Sequence, residues 1–331
     1  MQQLRDSLES RQIAIYFATV IAAAVFAITA APATTGWEEV VNPALALMLF
    51  VTFLQVPIAD LKRSFGNGRF LGALVVANFV IVPLVVALLL TFAPDEPIVR
   101  LGILLVLLTP CIDYVVTFSH LGRADAQSLL AATPVLLIVQ MLLLPAYLGL
   151  FLGNDAKGLV QMGPFVHAFA WLIAVPLLLA GLVQVWASRK AEGAKAVALL
   201  GVLPVPATAL VLFVVIAAFV PQLGPAFQVA LSVTPLYVAF AAVAPLVGWS
   251  VARTFRLETA QARSVAFSAG TRNSLVVLPF ALSIPEAIPV LPAVIVTQTL
   301  IELLAELVYV RIMPRFGVKT LKLNRTGFGG G

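Results

Sequence analysis

Apolar runs long enough to cross a bilayer follow one another along almost the whole chain. Of its 331 residues, 61% are hydrophobic and only 11% are charged, whereas soluble domains carry about 25% charged residues. Transmembrane helices need roughly 17–25 predominantly apolar residues, and the chain is therefore predicted to be an all-α polytopic membrane protein. On this criterion we predict ten transmembrane helices, at residues 12–31, 41–59, 70–93, 100–120, 127–152, 164–187, 196–220, 228–251, 261–283 and 288–313.

The lysines and arginines test this number of spans independently. Most of the 20 fall at the two termini or in four alternate loops, which begin with Lys62, Arg123, Arg189 and Arg253. Because cytoplasmic loops carry an excess of Lys and Arg, this pattern predicts an even number of spans in the cell membrane, with both termini in the cytoplasm. The basic residues are dispersed, so the net charge of +5 indicates membrane orientation and not nucleic-acid binding.

The ten spans divide into two sets of five. The spans from 12 to 152 and those from 164 to 313 correspond at an offset of about 160 residues. Since five is odd, the second set must cross the membrane in the opposite sense to the first. We therefore predict two inverted five-helix repeats, residues 1–160 and 161–331, with a short cytoplasmic tail after the last span. Repeats of this kind build alternating-access transporters.

The fourth and ninth spans contain residues that interrupt a membrane helix. In span four, Pro110 lacks a backbone donor and its ring crowds the preceding turn, and Asp113 would cost about 2.5–3.5 kcal/mol at the bilayer centre. In span nine, Gly270 and Arg272 interrupt the apolar run. Broken segments in corresponding positions of the two halves indicate the midplane binding site of a secondary transporter, so we predict that spans four and nine cross there. The candidate substrate-binding residues are Pro110, Cys111, Asp113, Gly270, Arg272, Asn273, Ser274 and, from span ten, Glu302.

The interrupted spans also allow structural interpretations. Proline and glycine are common in membrane helices, so Pro110 could mark a packing kink. Asp113 and Arg272 could form a static ion pair, since pairing removes the cost of two isolated buried charges. Alternatively, a substrate or a proton competes for that pair and couples binding to motion.

Span ten carries two carboxylates, Glu302 and Glu306, one helical turn apart on one face. Like charges that are partly buried favour the binding of a proton, which makes both residues candidates for a proton relay. Glu306 could instead reach a polar region at the cytoplasmic side. We therefore favour Glu302, the deeper of the two, as the functional carboxylate.

Cys111 is the single cysteine of the chain, so no intramolecular disulfide can form. A thiolate is a soft ligand that suits thiophilic metals and metalloids. A lone buried cysteine can equally be a small apolar residue. Its position directly after Pro110, in a broken span, makes Cys111 a candidate metalloid ligand.

These motifs resemble those of the bile acid/sodium symporter superfamily and, within it, of the arsenical-resistance permeases that export arsenite. Residues 109–125, TPCIDYVVTFSHLGRAD, are similar to the permeases' Pro-Cys segment and to the aromatic-Leu-small-basic-small-Asp turn that ends it. Residues 272–274 resemble the Arg-Asn-Asn start of their ninth-span motif, and residues 300–302 resemble the Leu-Val-Glu of their tenth span. The resemblance implies crossed fourth and ninth helices. It also implies that Cys111 engages trivalent arsenic, that Asn273 lines the site and that Glu302 is needed for transport.

The chain departs from both branches of that superfamily. Val276 stands where the arsenite permeases have a glutamate needed for transport, and Asp113 stands where they usually have a small or apolar residue. Asp113 is thus a candidate replacement for the missing carboxylate. In the sodium-coupled branch, a glutamate and a glutamine that help to bind sodium stand at the positions of Ser268 and Arg272. An arginine there repels a cation, so sodium coupling is not expected.

The leading hypothesis is a secondary transporter that exports arsenite or a related trivalent metalloid and is coupled to protons or driven by the membrane potential. In the alternative, a sodium-independent organic-anion transporter, Arg272 and helix N-termini bind a carboxylate and Cys111 is incidental. An enzyme is not expected, because the sequence contains no H-E-x-x-H motif and no cluster of histidine ligands. No cofactor is implied. The expected partners are a small-molecule or metalloid substrate, protons and the lipid bilayer, and the oligomeric state is open.

Overall fold

Helices form nearly all of the described structure. The computed structural model describes residues 2–30, 36–55, 67–112, 114–153, 163, 167, 170–282, 284 and 287–317. A π-helical turn, Ala77–Ile81, lies within the helix Gly68–Leu90, and another, Ala170–Ala174, directly precedes the helix Val175–Arg189. The helices are α1 Gln2–Ser10, α2 Gln12–Thr29, α3 Glu38–Gln55, α4 Gly68–Leu90, α5 Pro97–Leu107, α6 Tyr114–Leu121, α7 Ala126–Leu152, α8 Val175–Arg189, α9 Ala191–Leu200, α10 Pro204–Phe219, α11 Leu223–Thr254, α12 Thr259–Gly270, α13 Ser274–Leu282 and α14 Val290–Ile312.

Several of these helices are long and apolar enough to cross a membrane. Within the described ranges, α2, α4, α7, α11 and α14 meet this criterion, and α9 with α10 would make a sixth span if that bent pair is counted as one. The remaining predicted spans fall on the shorter apolar helices α3, α5 and α8 and on the half-helices α6, α12 and α13. The chain is therefore a multi-pass membrane protein, and the number of ten spans stays a prediction.

The fourth and ninth predicted spans are both broken, as their proline and polar residues indicated. The first break separates α5, which ends at Leu107, from α6, which begins at Tyr114. The second break, residues 271–273, separates α12 from α13. Gly270 ends α12 for a packing reason: a Cβ atom at this position would lie 2.8 Å from Pro245 Cγ and 3.0 Å from a ring carbon of Tyr309. Glycine here allows close approach to α11 and α14.

The helices pack into two groups. In one group, α10 packs against α2 and α3, and α8 packs against α3 and α9. In the other group, α12 packs against α11, α4, α6 and α7, while α14 packs against α11, α5, α6 and α13. Both breaks belong to the second group, so α11 and α14 enclose the segments that carry the candidate site.

One end of the broken helices is fastened by Arg263, near the start of α12. Its side chain is buried and donates to three backbone carbonyls, that of Arg123 at 3.1 Å, that of Pro314 at 2.6 Å and that of Phe316 at 2.9 Å. Beside it, the Ser264 hydroxyl donates to the Asp125 carbonyl at 2.9 Å. These bonds join the turn after α6, the start of α12 and the end of α14. The turn at residues 122–125 is thereby fixed to α12.

Candidate functional site

The two breaks are hydrogen-bonded to each other through their backbones. The Cys111 amide donates to the Thr271 carbonyl at 3.1 Å, and the Asn273 amide donates to the Thr109 carbonyl at 2.8 Å. Between these bonds, Pro110 and Arg272 form an isolated antiparallel bridge. Backbone groups that the breaks free from helical bonding are satisfied in this way. Four of the predicted site residues, Pro110, Cys111, Arg272 and Asn273, therefore lie together.

The guanidinium of Arg272 is buried and bound to the ends of two half-helices. Its Nη2 atom lies 2.5 Å from the Ser268 carbonyl and 2.8 Å from the Ala269 carbonyl, both in the last turn of α12. Its Nη1 atom donates to the Leu107 carbonyl, the last residue of α5, at 3.3 Å. Helix C-termini carry a partial negative charge. A single side chain thus neutralises the facing carboxyl ends of α5 and α12.

Asn78 and Phe240 complete the surroundings of the Arg272 guanidinium. Asn78 lies in the π-helical turn of α4, and its Oδ1 atom accepts from Nη2 at 2.8 Å. Its amide nitrogen donates to the Leu74 carbonyl at 3.0 Å and to the Ser268 hydroxyl at 2.9 Å, which turns its oxygen toward the arginine. The guanidinium carbon also lies 5.6 Å from the centroid of the Phe240 ring, a cation–π distance. The arginine is held from α4, α5, α11 and α12 at once.

The predicted ion pair of Arg272 with Asp113 lies partly outside the described residues, because Asp113 is not among them. Among the residues that the structure describes, the salt bridges are Arg5 with Glu9 and Arg100 with Asp95. The side-chain charge of Arg272 is met by carbonyl oxygens and an amide in the described region. A pair with Asp113 stays a prediction.

Glu302 links the two broken spans from the side of α14. It is 2% exposed. It accepts from the hydroxyl of Tyr114, the first residue of α6, at 2.5 Å and from the backbone amide of Arg272 at 2.6 Å. The side chain of Gln298 donates a third bond at 2.6 Å. The carboxyl group thus holds the start of α6 and the second break against α14.

Glu306 lies one turn further along α14 and is fully buried. The alternative that it reaches a polar region at the cytoplasmic side is wrong, because its Oε1 atom is in hydrogen-bond contact with the Thr271 hydroxyl. Ser274, another predicted site residue, is bound from α14 as well, since its hydroxyl accepts from Thr299 at 2.8 Å. α14 therefore contacts the second break through Glu302, Glu306 and Thr299.

An apolar cavity of about 480 Å³ lies beside the first break. Of the predicted site residues, none lines it, but Ile112, the neighbour of Cys111, does. Cys111 and Asn273 are buried, at 0% and 2% exposure. The cavity is lined by Phe53, Ile112, Thr133, Pro134, Leu137, Ile138, Leu177, Leu178, Gly181, Leu182 and Val185.

Sequence reasoning did not single out Tyr114 and Thr271, which bind the two carboxyls of α14. A signal was present for each. A tyrosine at the start of a half-helix needs a partner for its hydroxyl when it is buried, and Thr271 precedes the arginine of the broken span. Which side chain each would meet depends on α14, which lies 30 or more positions away in the sequence and could not be aligned with the breaks in advance.

Comparison with known protein families assigns the chain to one of them. The model of the sodium bile acid symporter family matches residues 42–225, more than half of the chain. The protein belongs to this family. The match includes the first break and ends before the second. No curated protein matches the chain significantly.

Members of the sodium bile acid symporter family are transporters, so the match indicates a transporter of that type. It also agrees with the apolar helices that make the chain a multi-pass membrane protein. The arsenical-resistance branch, the substrate and the coupling ion are finer than the family match and stay predictions.

Proposed function

We propose that this symporter-family protein is a sodium-independent secondary transporter whose cargo is arsenite or a related trivalent metalloid, exported across the cell membrane. The observation that carries the proposal is the position of Cys111. The Cys111 backbone amide donates a hydrogen bond to the Thr271 carbonyl, which places the thiol where the two broken spans meet. Soft thiolate ligands suit thiophilic metals and metalloids, and a broken midplane segment is where transporters of this kind bind their cargo.

An internal repeat supports the transport mechanism. The bridged residues Pro110 and Arg272 are 162 positions apart. Cys111 and Asn273 are also 162 positions apart, as are Thr109 and Thr271. The Cys111 amide donates to the Thr271 carbonyl, and the Asn273 amide donates to the Thr109 carbonyl, so the offset relates the two bonds to each other. A contact in which equivalent residues exchange partners is what a two-fold relation requires.

A second pair of contacts has the same offset. The Tyr147 hydroxyl on α7 donates to the Phe79 carbonyl on α4 at 2.5 Å. The Tyr309 hydroxyl on α14 donates to the Ala241 carbonyl on α11, also at 2.5 Å. Both observations support two five-span repeats of opposite orientation, residues 1–160 and 161–331. The proposed arrangement is ten spans, and the distribution of Lys and Arg favours both termini in the cytoplasm. Alternating access then arises from the motion of helices around the crossing.

The surroundings of Arg272 support sodium independence. Oxygen atoms of Ser268, Ala269 and Asn78 gather around one guanidinium nitrogen. Carbonyl and amide oxygens are the ligands that hard cations prefer, and here they are engaged by a fixed positive charge. Protons or the membrane potential are then the remaining sources of energy, with Glu302 and Asp113 as the carboxylates first expected to bind the proton.

A second cargo class, an organic anion, has one observation in its favour. The apolar cavity beside Ile112 is about 480 Å³ in volume, within the range that small-molecule sites occupy. The guanidinium of Arg272, however, is already bound to helix-end carbonyls. Recognition of a carboxylate by Arg272 would require those bonds to be replaced, so the metalloid remains the preferred cargo.

The test is arsenite uptake into everted membrane vesicles, with Cys111→Ser compared with wild type. Loss of even an outer-shell partner of a metal site costs about 10–100-fold, so the variant is expected to lose at least about tenfold in uptake. The control is Ile112→Val, which alters the same segment and keeps the thiol. Wild-type uptake by Cys111→Ser would remove the metalloid proposal, and uptake of a carboxylate-bearing anion by both proteins would favour the second class.

A further inference from the structure

The two carboxyls of α14 have different hydrogen-bond surroundings. Glu302 accepts three hydrogen bonds, from Tyr114, Gln298 and the Arg272 amide. Glu306 contacts Thr271 through one oxygen, and its Oε2 atom is buried with no partner among the described residues. Several donors stabilise an ionised carboxylate, and a buried charge without them is costly. The surroundings of Glu302 therefore favour an ionised carboxylate, whereas those of Glu306 favour a protonated carboxyl.

The contacts of the Thr271 hydroxyl bear on the protonation state of Glu306. The Thr271 Oγ1 atom lies 2.7 Å from the Phe267 carbonyl and also contacts Glu306 Oε1. A hydroxyl carries one hydrogen, and a carbonyl oxygen can only accept. If both contacts are hydrogen bonds, the second hydrogen belongs to Glu306. Glu306 then donates to Thr271, and Thr271 donates to Phe267.

The first repeat shows the direction of the threonine bond where no carboxyl is present. Thr109, 162 positions before Thr271, lies nearest the Leu105 carbonyl one turn earlier, at 2.8 Å, and is also 3.0 Å from the Val106 carbonyl. The residue at the corresponding distance before Glu306 is Leu144. A threonine in a helix commonly bonds to the carbonyl four residues before it. The shortest carbonyl contact of the Thr271 hydroxyl, that to Phe267 at 2.7 Å, is of the same kind as that of Thr109 to Leu105, which favours Phe267 as the acceptor of the Thr271 hydrogen.

We propose that Glu306 is a proton-binding site of this transporter, and that Glu302 and Glu306 together hold one proton. The inference rests on the proposed proton coupling and moves the proton from Glu302 to its neighbour. When Glu306 releases its proton, two negative charges stand one helical turn apart, which is unfavourable. The release also removes the donor to Thr271, which begins the second break. Proton release is thereby connected to the geometry of the crossing.

The ionisable groups nearest Glu306 on the elements packed against α14 are hydrogen-bonded to other partners, so Thr271 is the side chain that contacts the Glu306 carboxyl in the described region. Tyr114 binds Glu302, the Tyr309 hydroxyl donates to Ala241, and the Arg272 guanidinium is bound to helix-end carbonyls. Within the described part of the chain, no salt bridge involves Glu306. Among the described residues, the ionisable groups on these elements are Tyr114 and His120 on α6, Cys111 and Arg272 at the breaks, Arg100 on α5, Tyr237 and Arg253 on α11, Arg263 on α12, Glu302, Tyr309 and Arg311 on α14, and Arg315 in the turn after α14.

Infrared difference spectroscopy of the full-length protein in lipid tests the proposal without any cargo. A protonated carboxylic acid has a C=O stretching band that an ionised carboxylate lacks. Near neutral pH, the wild-type spectrum minus that of Glu306→Gln is expected to contain this band. The matched control is Glu302→Gln, which lies one turn away and is expected to keep the band. Glu306→Gln should fold, because an amide can donate to Thr271 as a protonated carboxyl does.

A second variant, Thr271→Val, keeps the test decisive if Glu306→Gln does not fold. It removes the acceptor of the Glu306 proton, and the band is then expected to shift to higher wavenumber. A band lost in Glu302→Gln and kept in Glu306→Gln would overturn the proposal in favour of Glu302. A flat difference spectrum for both variants would overturn it in favour of two ionised carboxylates. Because no cargo is present, failure of arsenite transport would leave this result unchanged.

Discussion

At the scale of single residues, Arg272 is distinguished by a fully buried charge at the crossing of the two breaks. Its guanidinium is 0% exposed and has more oxygen acceptors around Nη2 than that nitrogen has hydrogens. These oxygens belong to the Ser268 and Ala269 carbonyls and to Asn78. A group of oxygens of this kind attracts a cation, and the arginine supplies one covalently.

The first residue-scale prediction is that transport does not depend on sodium. Replacement of sodium by choline, at constant pH and membrane potential, is expected to leave vesicle uptake unchanged, because Arg272 already occupies the oxygens that would bind the ion. Uptake is measured with the cargo that passes the Cys111 test. Replacement of sodium by potassium is the control for choline itself. A loss of most uptake in both replacements would contradict sodium independence.

At the scale of helices, the breaks place the carboxyl ends of α5 and α12 around one guanidinium. Without it, the Leu107, Ser268 and Ala269 carbonyls would face each other with too few donors. Each buried polar group left unsatisfied costs about 1–3 kcal/mol. The arginine is therefore a structural part of the crossing as well as a fixed charge.

The corresponding prediction is that Arg272→Met destabilises the purified protein. Each acceptor left unsatisfied costs about 1–3 kcal/mol of the free energy of unfolding, so a clear fall in melting temperature is expected. The control is Arg253→Met. Arg253 is exposed on α11, and its guanidinium carbon lies 5.9 Å from the Trp249 ring centroid, an exposed contact worth about 0.5–1 kcal/mol. Unfolding of detergent-solubilised protein is followed by thermal shift. Equal melting temperatures for Arg272→Met and wild type would mean that the helix ends are satisfied without the guanidinium.

The two halves of the chain differ in their polar groups at positions that the 162-residue offset relates. At the 162-residue offset Glu302 matches Gln140, whose side-chain nitrogen and oxygen have no partner among the described residues. The three donors to Glu302 match Val276, Pro110 and Leu136, and none of these can donate at the equivalent place. The hydrogen-bonded carboxyls of α14 thus lie in the second half of the chain and have no counterpart in the first, which contains Cys111.

At the scale of the whole molecule, the inverted repeat predicts which side of the membrane each loop faces. Asp95, between α4 and α5, and Leu257, between α11 and α12, are equivalent at the 162-residue offset and should lie on opposite sides. Alkaline phosphatase is active only outside the cytoplasm, so fusions after Asp95 are expected to be active and fusions after Leu257 inactive. A fusion after Arg123 serves as a cytoplasmic control. Equal activity after Asp95 and Leu257 would contradict the inverted repeat.

Local sequence determined the features that depend only on nearby residues. The breaks at 107–114 and 270–274 were predictable, because a proline or a charged residue inside an apolar span disturbs the helix wherever that span packs. Membrane insertion was equally predictable from the apolar runs, since transfer into lipid depends on the composition of each segment.

Tertiary structure alone decided which groups meet at the breaks. The pairing of Arg272 with Asp113 stays a prediction, but nothing in the sequence indicated that its guanidinium would bind Asn78, 194 positions away, and the carbonyls of helix ends. Glu306 was passed over in favour of Glu302, although both are buried. The physical reason is that helical periodicity gives the face of a residue but not the helix that covers it. The hydrogen-bond partners of a buried charge are fixed by packing between elements far apart in the chain.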